Sequence, residues 1–101
     1  MADLPDHDAF ARHVGETFVL RPLEETPVEV ELVEAKPFAA REPEGGTVRK
    51  IPFSLLFRAH GASDLPQHTY RLEHAALGDL DLFLVPIGPD SVGMRFEAVF
   101  S

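Results

Sequence analysis

The stretch "HTYRLEHAALGDLDLFLVPI", residues 68–87, opens with two histidines, a tyrosine and a glutamate within seven positions. Read as chemistry, these side chains are metal ligands or a general base. Read as structure, Tyr70 and Leu72 alternate with Thr69, Arg71 and Glu73, the period-two pattern of a half-buried strand. The second half alternates too, with Leu80, Leu82 and Leu84 on one face and Phe83, Val85 and Ile87 on the other. A four-residue loop closed by His74 and Asp79 would set Leu72 opposite Asp81, on the wrong face. One extra residue restores Leu72 to the leucines, and Gly78 is the natural place for that bulge. The segment therefore reads as a strand leading into a bulged hairpin.

The spacing argues against a metal within this strand. His68 and His74 share a face but lie about 20 Å apart at ~3.3 Å per residue, whereas zinc needs three or four converging ligands. Asp79 or Asp81 could approach His74 across the turn, which makes only a two-ligand corner. His7, His13 and His60 read as helix-surface and loop residues.

Outward from this hairpin the same alternation recurs. "ETFVLR" (16–21) places Phe18 and Leu20 together, and "PVEVEL" (27–32) places Val28, Val30 and Leu32 inward with Glu29 and Glu31 outward. Val33 and Glu34 break that phase, so the strand bulges or ends there. "IPFSLLFRA" (51–59) aligns Ile51, Phe53, Leu55 and Phe57, and "MRFEAVF" (94–100) closes the chain's series of strands. "DHDAFARHVG" (6–15) reads as a short helix capped by Asp6 and ended by Gly15. "AAREPEGG" (39–46) is the most polar, turn-rich stretch and reads as a loop. The expectation is one domain, residues 1–101, mainly β. A helix spans 6–14, and six antiparallel strands spanning 16–100 form a meander, either a small barrel or a two-layer sheet. The helix would plug one end or cover one face.

Composition narrows the function classes. The chain has 101 residues, no cysteine and a formal net charge of −8. Residues 1–44 carry eleven acidic and four basic side chains, residues 45–101 six and five. Nucleic-acid binding requires a cationic field, and anionic membranes repel an acidic surface, so neither is an expected partner. The acidic half could meet a basic protein, although net charge more commonly serves solubility. Without cysteine there is no thiolate nucleophile, thiolate metal site or disulfide. No secretory signal is visible at the start, and "LFLVPI" (82–87) is too short to cross a bilayer as a helix. The expected location is cytoplasmic as synthesised, with export or incorporation into a surface assembly left open. Ser54, Ser63, Ser91 and Ser101 lie in no nucleophile elbow, and "PEGGTVRK" has neither phosphate-loop spacing. Glu29 and Glu31 are explained by strand alternation without paired-carboxylate catalysis. No catalytic residue, metal or cofactor is expected.

The anomaly is apolar and faces outward. If the even positions of 80–84 are core, Phe83, Val85 and Ile87 lie outside, and Leu56 and Val99 join them by parity. Such a patch needs a cover. The N-terminal helix, through Phe10 and Val14, is the nearer candidate, and another subunit is the second. Pro86 marks an edge or a bulge in that strand.

"PFSLLFRA" (52–59), "LPQHTYRLEHAALGDLDLFLVPIGP" (65–89), "FEAVF" (96–100) and the opening "FARHVGETFVL" (10–20) resemble a family of small bacterial proteins known mainly as a domain of unknown function. The resemblance covers most of residues 10–100. The chain departs from the family's pattern at His68, where glycine is usual, and at Ala76, near which the family carries a proline. His74 matches, which implies a shared structural role at the strand end, such as holding the turn. The family offers no catalytic residues to carry over. Its setting, similar to that of proteins beside phage-tail-collar-like fibre proteins, implies a structural or assembly partner. The reading is a non-enzymatic structural or interaction module. Its partner is another protein, either a tail-collar-like fibre protein or a second copy in a homo-oligomer. The partner-binding residues would be Leu56, Phe83, Val85 and Ile87, with Arg58 and Arg71 at the polar rim. A small-molecule-binding β-barrel with Tyr70, Arg71 and His74 near its mouth is the alternative, and it requires an open cavity.

Overall fold

The computed structural model describes residues 7–22, 26–37, 52–60 and 65–100. Asp6, Ile51 and the 39–46 loop of the sequence reading lie outside these. One helix, α1 (His7–Ala11), precedes six strands: β1 (Thr17–Arg21), β2 (Val28–Pro37), β3 (Phe53–His60), β4 (His68–His74), β5 (Gly78–Pro89) and β6 (Gly93–Phe100). All pairings are antiparallel and the sheet closes into a barrel in the order β1-β2-β3-β6-β5-β4. Of the two expected architectures, the barrel is the one formed. Its strand order makes two three-stranded meanders, β1–β3 and β4–β6, joined along β3–β6 and β1–β4. β3 and β4 are thus not neighbours and form no hairpin, and Leu65, just before β4, is buried in the core.

The alternation read from sequence sets the core. Phe18, Leu20, Val30, Leu32, Phe53, Leu55, Phe57, Tyr70, Leu72, Leu80, Leu82, Leu84 and Phe96 all point inward and are buried. Leu72 pairs with Leu80 and Tyr70 with Leu82, the register expected for the central hairpin. A three-residue loop closes at Gly78, whose φ of +77° only glycine adopts cheaply. The register of β2 against β3 shifts between Leu32 and Glu34, where the alternation breaks. A second bulge sits between Pro86 and Gly88, because proline cannot donate to the ladder there.

The helix is shorter than the expected 6–14. The His13 amide already bonds back three residues to the Phe10 carbonyl at 2.9 Å, so the last turn tightens before Gly15 reverses the chain at φ +93°. It plugs one end of the barrel. Phe10 is fully buried against Phe53 and Phe100, at ring separations of 6.0 and 5.7 Å. The helix therefore does not cover the outward patch, because its one large apolar side chain fits the open end better than a flat outer face. Val14, the other expected cover, is itself 44% exposed.

Parity predicts opposite costs for neighbouring residues. Leu84→Ala, inside, should destabilise by about 2–5 kcal/mol in urea unfolding. Phe83→Ala, outside, should cost about 0.5 kcal/mol or less. Comparable losses at both positions would contradict the register.

Candidate functional site

Two groups of side chains could carry function. The first surrounds His74, which ends β4 inside the barrel beneath the α1–β1 turn. Its Nδ1 accepts two backbone N–H bonds, from Ala76 and Leu77, both at 3.1 Å. Because an amide N–H can only donate, that nitrogen carries no proton and Nε2 carries the ring hydrogen. Nε2 donates to Glu16 Oε1 at 2.7 Å, and His13 Nδ1 reaches the same oxygen at 3.0 Å. These bonds to His74 and then His13 hold the Glu16 carboxyl below its usual range. The His74 ring also stacks on Phe18 at 4.4 Å and meets His13 edge-on at 4.6 Å. The histidine thus holds the turn as the sequence resemblance implied, and Asp79 and Asp81 stay exposed on the far face.

His13, Glu16 and His74 bring three ligand atoms within 4.8 Å of one another, a metal-like set that sequence reading missed. The chemistry of the donors does not fit a metal. A ligating histidine offers one nitrogen and normally donates the N–H of the other. Here the Nδ1 of His74 is already an acceptor for two amides, so ligation through Nε2 would require either an imidazolate or loss of both turn bonds. The arrangement fits a latch between the helix turn and the β4–β5 hairpin. Zinc titration should accordingly leave the melting temperature unchanged. A stoichiometric rise that His13→Ala abolishes would contradict the latch reading.

The second group lies on the outer face of β3, β5 and β6. Phe83 is 52% exposed, Ile87 41% and Val99 58%, while Val85 and Leu56 are half-buried. Register sets Val85 opposite Glu97, Glu97 opposite Leu56, and Leu56 opposite Glu34. The face therefore carries a row in which apolar and carboxylate side chains alternate. Ile87 falls in the bulge between the paired Pro86 and Gly88.

The two expected rim arginines are both engaged. Arg58 forms a bond to Asp90 with N···O distances of 2.7 and 2.8 Å, and its nearest approach to Glu31 is 3.9 Å. Arg71 sits across from Asp81 at 3.5 Å on the exposed face of β4 and β5. Asp90 turns the β5–β6 hairpin, accepting the amides of Val92 and Gly93 at 2.8 and 3.0 Å. The Gly93 and Val92 amides, then Arg58, hold its carboxyl down at about 2. "GPDSVG" carried the turn signal for Asp90, but nothing local pointed to its pairing with Arg58, thirty-two residues away.

The side chains that point into the barrel form one buried cluster. Among the described residues, an open groove lined by Val19, Pro27, Val28, Glu29 and His60 lies beside the β1–β2 turn. Three of its residues, Val19, Glu29 and His60, alternate with the inward residues of their strands, so it opens outside the barrel. Tyr70, proposed for a ligand mouth, is buried and its hydroxyl donates to the Pro66 carbonyl. No described helix is long and apolar enough to cross a membrane.

The model of a protein family described as a domain of unknown function, DUF6916, matches residues 5–100. The chain belongs to this family. No curated protein and no solved structure matches it. DUF6916 membership agrees with the resemblance to a domain of unknown function and adds no reaction, ligand or partner.

The depressed Asp90 carboxyl fixes a pH dependence. An aspartate at about 2, against an ordinary value of 3.8, binds fewer protons folded than unfolded. Its stabilisation is complete above about pH 4 and is lost as pH falls through about 2. The melting-temperature gap between the wild type and Asp90→Ala should be constant above about pH 5 and shrink below about pH 4. A gap that stays constant down to pH 2 would contradict the assignment.

Proposed function

We propose that this chain is a non-enzymatic structural or interaction module that meets a protein partner through the outer face of β3, β5 and β6. The observation that carries the reading is the exposure of Phe83 and Val99 beside half-buried Leu56 and Val85, on rigid paired strands. Exposed large apolar side chains grouped on one face favour a contact surface, and the helix that might have covered them occupies the barrel end. The burial of the inward side chains as one cluster weighs against the small-molecule-binding barrel, which needs an interior cavity.

The partner class we propose is a phage-tail-collar-like fibre protein, with this chain as a component or assembly partner of a tail-like surface fibre. The support for that partner is the similarity in setting implied by the sequence resemblance, and it stands apart from the geometric argument. Affinity capture from the native bacterium, read by mass spectrometry, tests it with Phe83→Asp as the control. The wild type should retain collar-like fibre proteins, and the variant, still folded by thermal melt, should lose them. Equal retention by both would remove the face from the account. Absence of fibre proteins from both would remove that partner.

A further inference from the structure

The same face carries a charge pattern that names one occupant. Arg95, Glu97 and Val99 alternate outward along β6, between inward Phe96 and Ala98. β6 is flanked on both sides, by β3 and β5, so it forms the centre line of the face. Glu97 lies between Leu56 and Val85 with no hydrogen-bond or ion-pair partner for its carboxylate among the described residues. Arg95 lies opposite Arg58, a repulsive placement relieved for Arg58 alone by Asp90. The side chain of Arg95 has a single partner among the described residues, the Gly88 carbonyl at 3.3 Å, and no carboxylate. One strand thus presents, two residues apart, a cation and an anion without a partner of opposite charge among the described residues, the anion lying between apolar Leu56 and Val85.

That pattern is self-complementary. We propose that a second copy of this chain docks on this face about a twofold axis crossing β6 at Phe96. Such an axis runs the two β6 strands antiparallel, face to face, and sets Arg95 of each copy against Glu97 of the other. An isologous contact needs this reciprocity, in which each residue of the pair meets its complement twice. Leu56 and Val85, beside Glu97, would shield both ion pairs from water and strengthen them. The formal net charge of −8 opposes association over longer range, and that repulsion is screened within about 8 Å at physiological salt. The inference rests on the docking reading above and takes a second copy, in place of the fibre protein, as the occupant of the face.

Sedimentation velocity over a concentration series at physiological ionic strength tests it with three variants. The wild type should show a concentration-dependent dimer. Arg95→Glu and Glu97→Arg should each shift the dimer constant by about tenfold or more, because like charges then face each other twice. An equimolar mixture of the two single variants should recover the dimer as a one-to-one species, since one copy then carries two glutamates and the other two arginines. The double variant Arg95→Glu/Glu97→Arg should dimerise by itself. Recovery on mixing cannot come from unfolded chains, so a folding defect is distinguishable from lost complementarity. A wild type that stays monomeric throughout, or single variants that dimerise like it, would overturn the proposal. A monomer that still captures fibre proteins in a Phe83-dependent way overturns the second copy and leaves the docking reading standing.

Discussion

Closure along β1–β4 is the constraint on which the rest of this structure depends. β1 is five residues long and meets β4 through only three residue pairs, Val19–Glu73, Leu20–Leu72 and Arg21–Arg71. A seam so short has few ladder bonds, and side chains supplement it at both ends. Arg21 bonds Glu73 at 2.6 Å at one end. At the other, His74 stacks on Phe18, ties its own turn and holds Glu16. Without closure, β1 and β4 would become sheet edges with unpaired backbone groups, the exposure that barrels avoid.

Closure also decides where function can lie. In a barrel of six strands, the inward side chains meet one another across the lumen. The phenylalanines at 10, 18, 53, 57 and 96 pack with the strand leucines as one buried cluster. The helix completes this by seating Phe10 at the open end, while His7 Nε2 bonds the Ala35 carbonyl on β2 at 3.1 Å. The outer surface is where the strands hold accessible side chains in fixed register. A row such as Val85–Glu97–Leu56–Glu34 is positioned by three ladders at once, which gives it the rigidity a recognition surface needs.

What the sequence made legible was local. Period-two alternation assigned the inward residues of β1 to β5, placed the β2 break at Val33–Glu34 and put Leu72 beside Leu80, because each depends on residues a few positions apart. Strand order was not legible. Alternation says which face a residue takes and nothing about which strand lies beside it, so the connection from β3 to β4 could not be distinguished from a hairpin. The contacts between distant segments were hidden for the same reason. Glu16 and His74 are fifty-eight residues apart and Arg58 and Asp90 thirty-two. The sequence left the helix open between plugging one end and covering one face, because an amphipathic turn with one phenylalanine suits a barrel mouth as well as a sheet face. The contacts of buried Phe10 with Phe53 and Phe100, on strands far from it in sequence, distinguish the two.

The most direct measurement of the central claim, that His74 is a structural histidine closing the barrel, is a long-range proton–nitrogen correlation spectrum of the histidine rings at neutral pH. The account predicts one ring fixed with a bare Nδ1 and a protonated Nε2, assigned to His74 by its loss in His74→Asn. A His74 ring protonated at Nδ1, or averaging between tautomers, would contradict it and reopen the cluster with His13 and Glu16 as a ligand site.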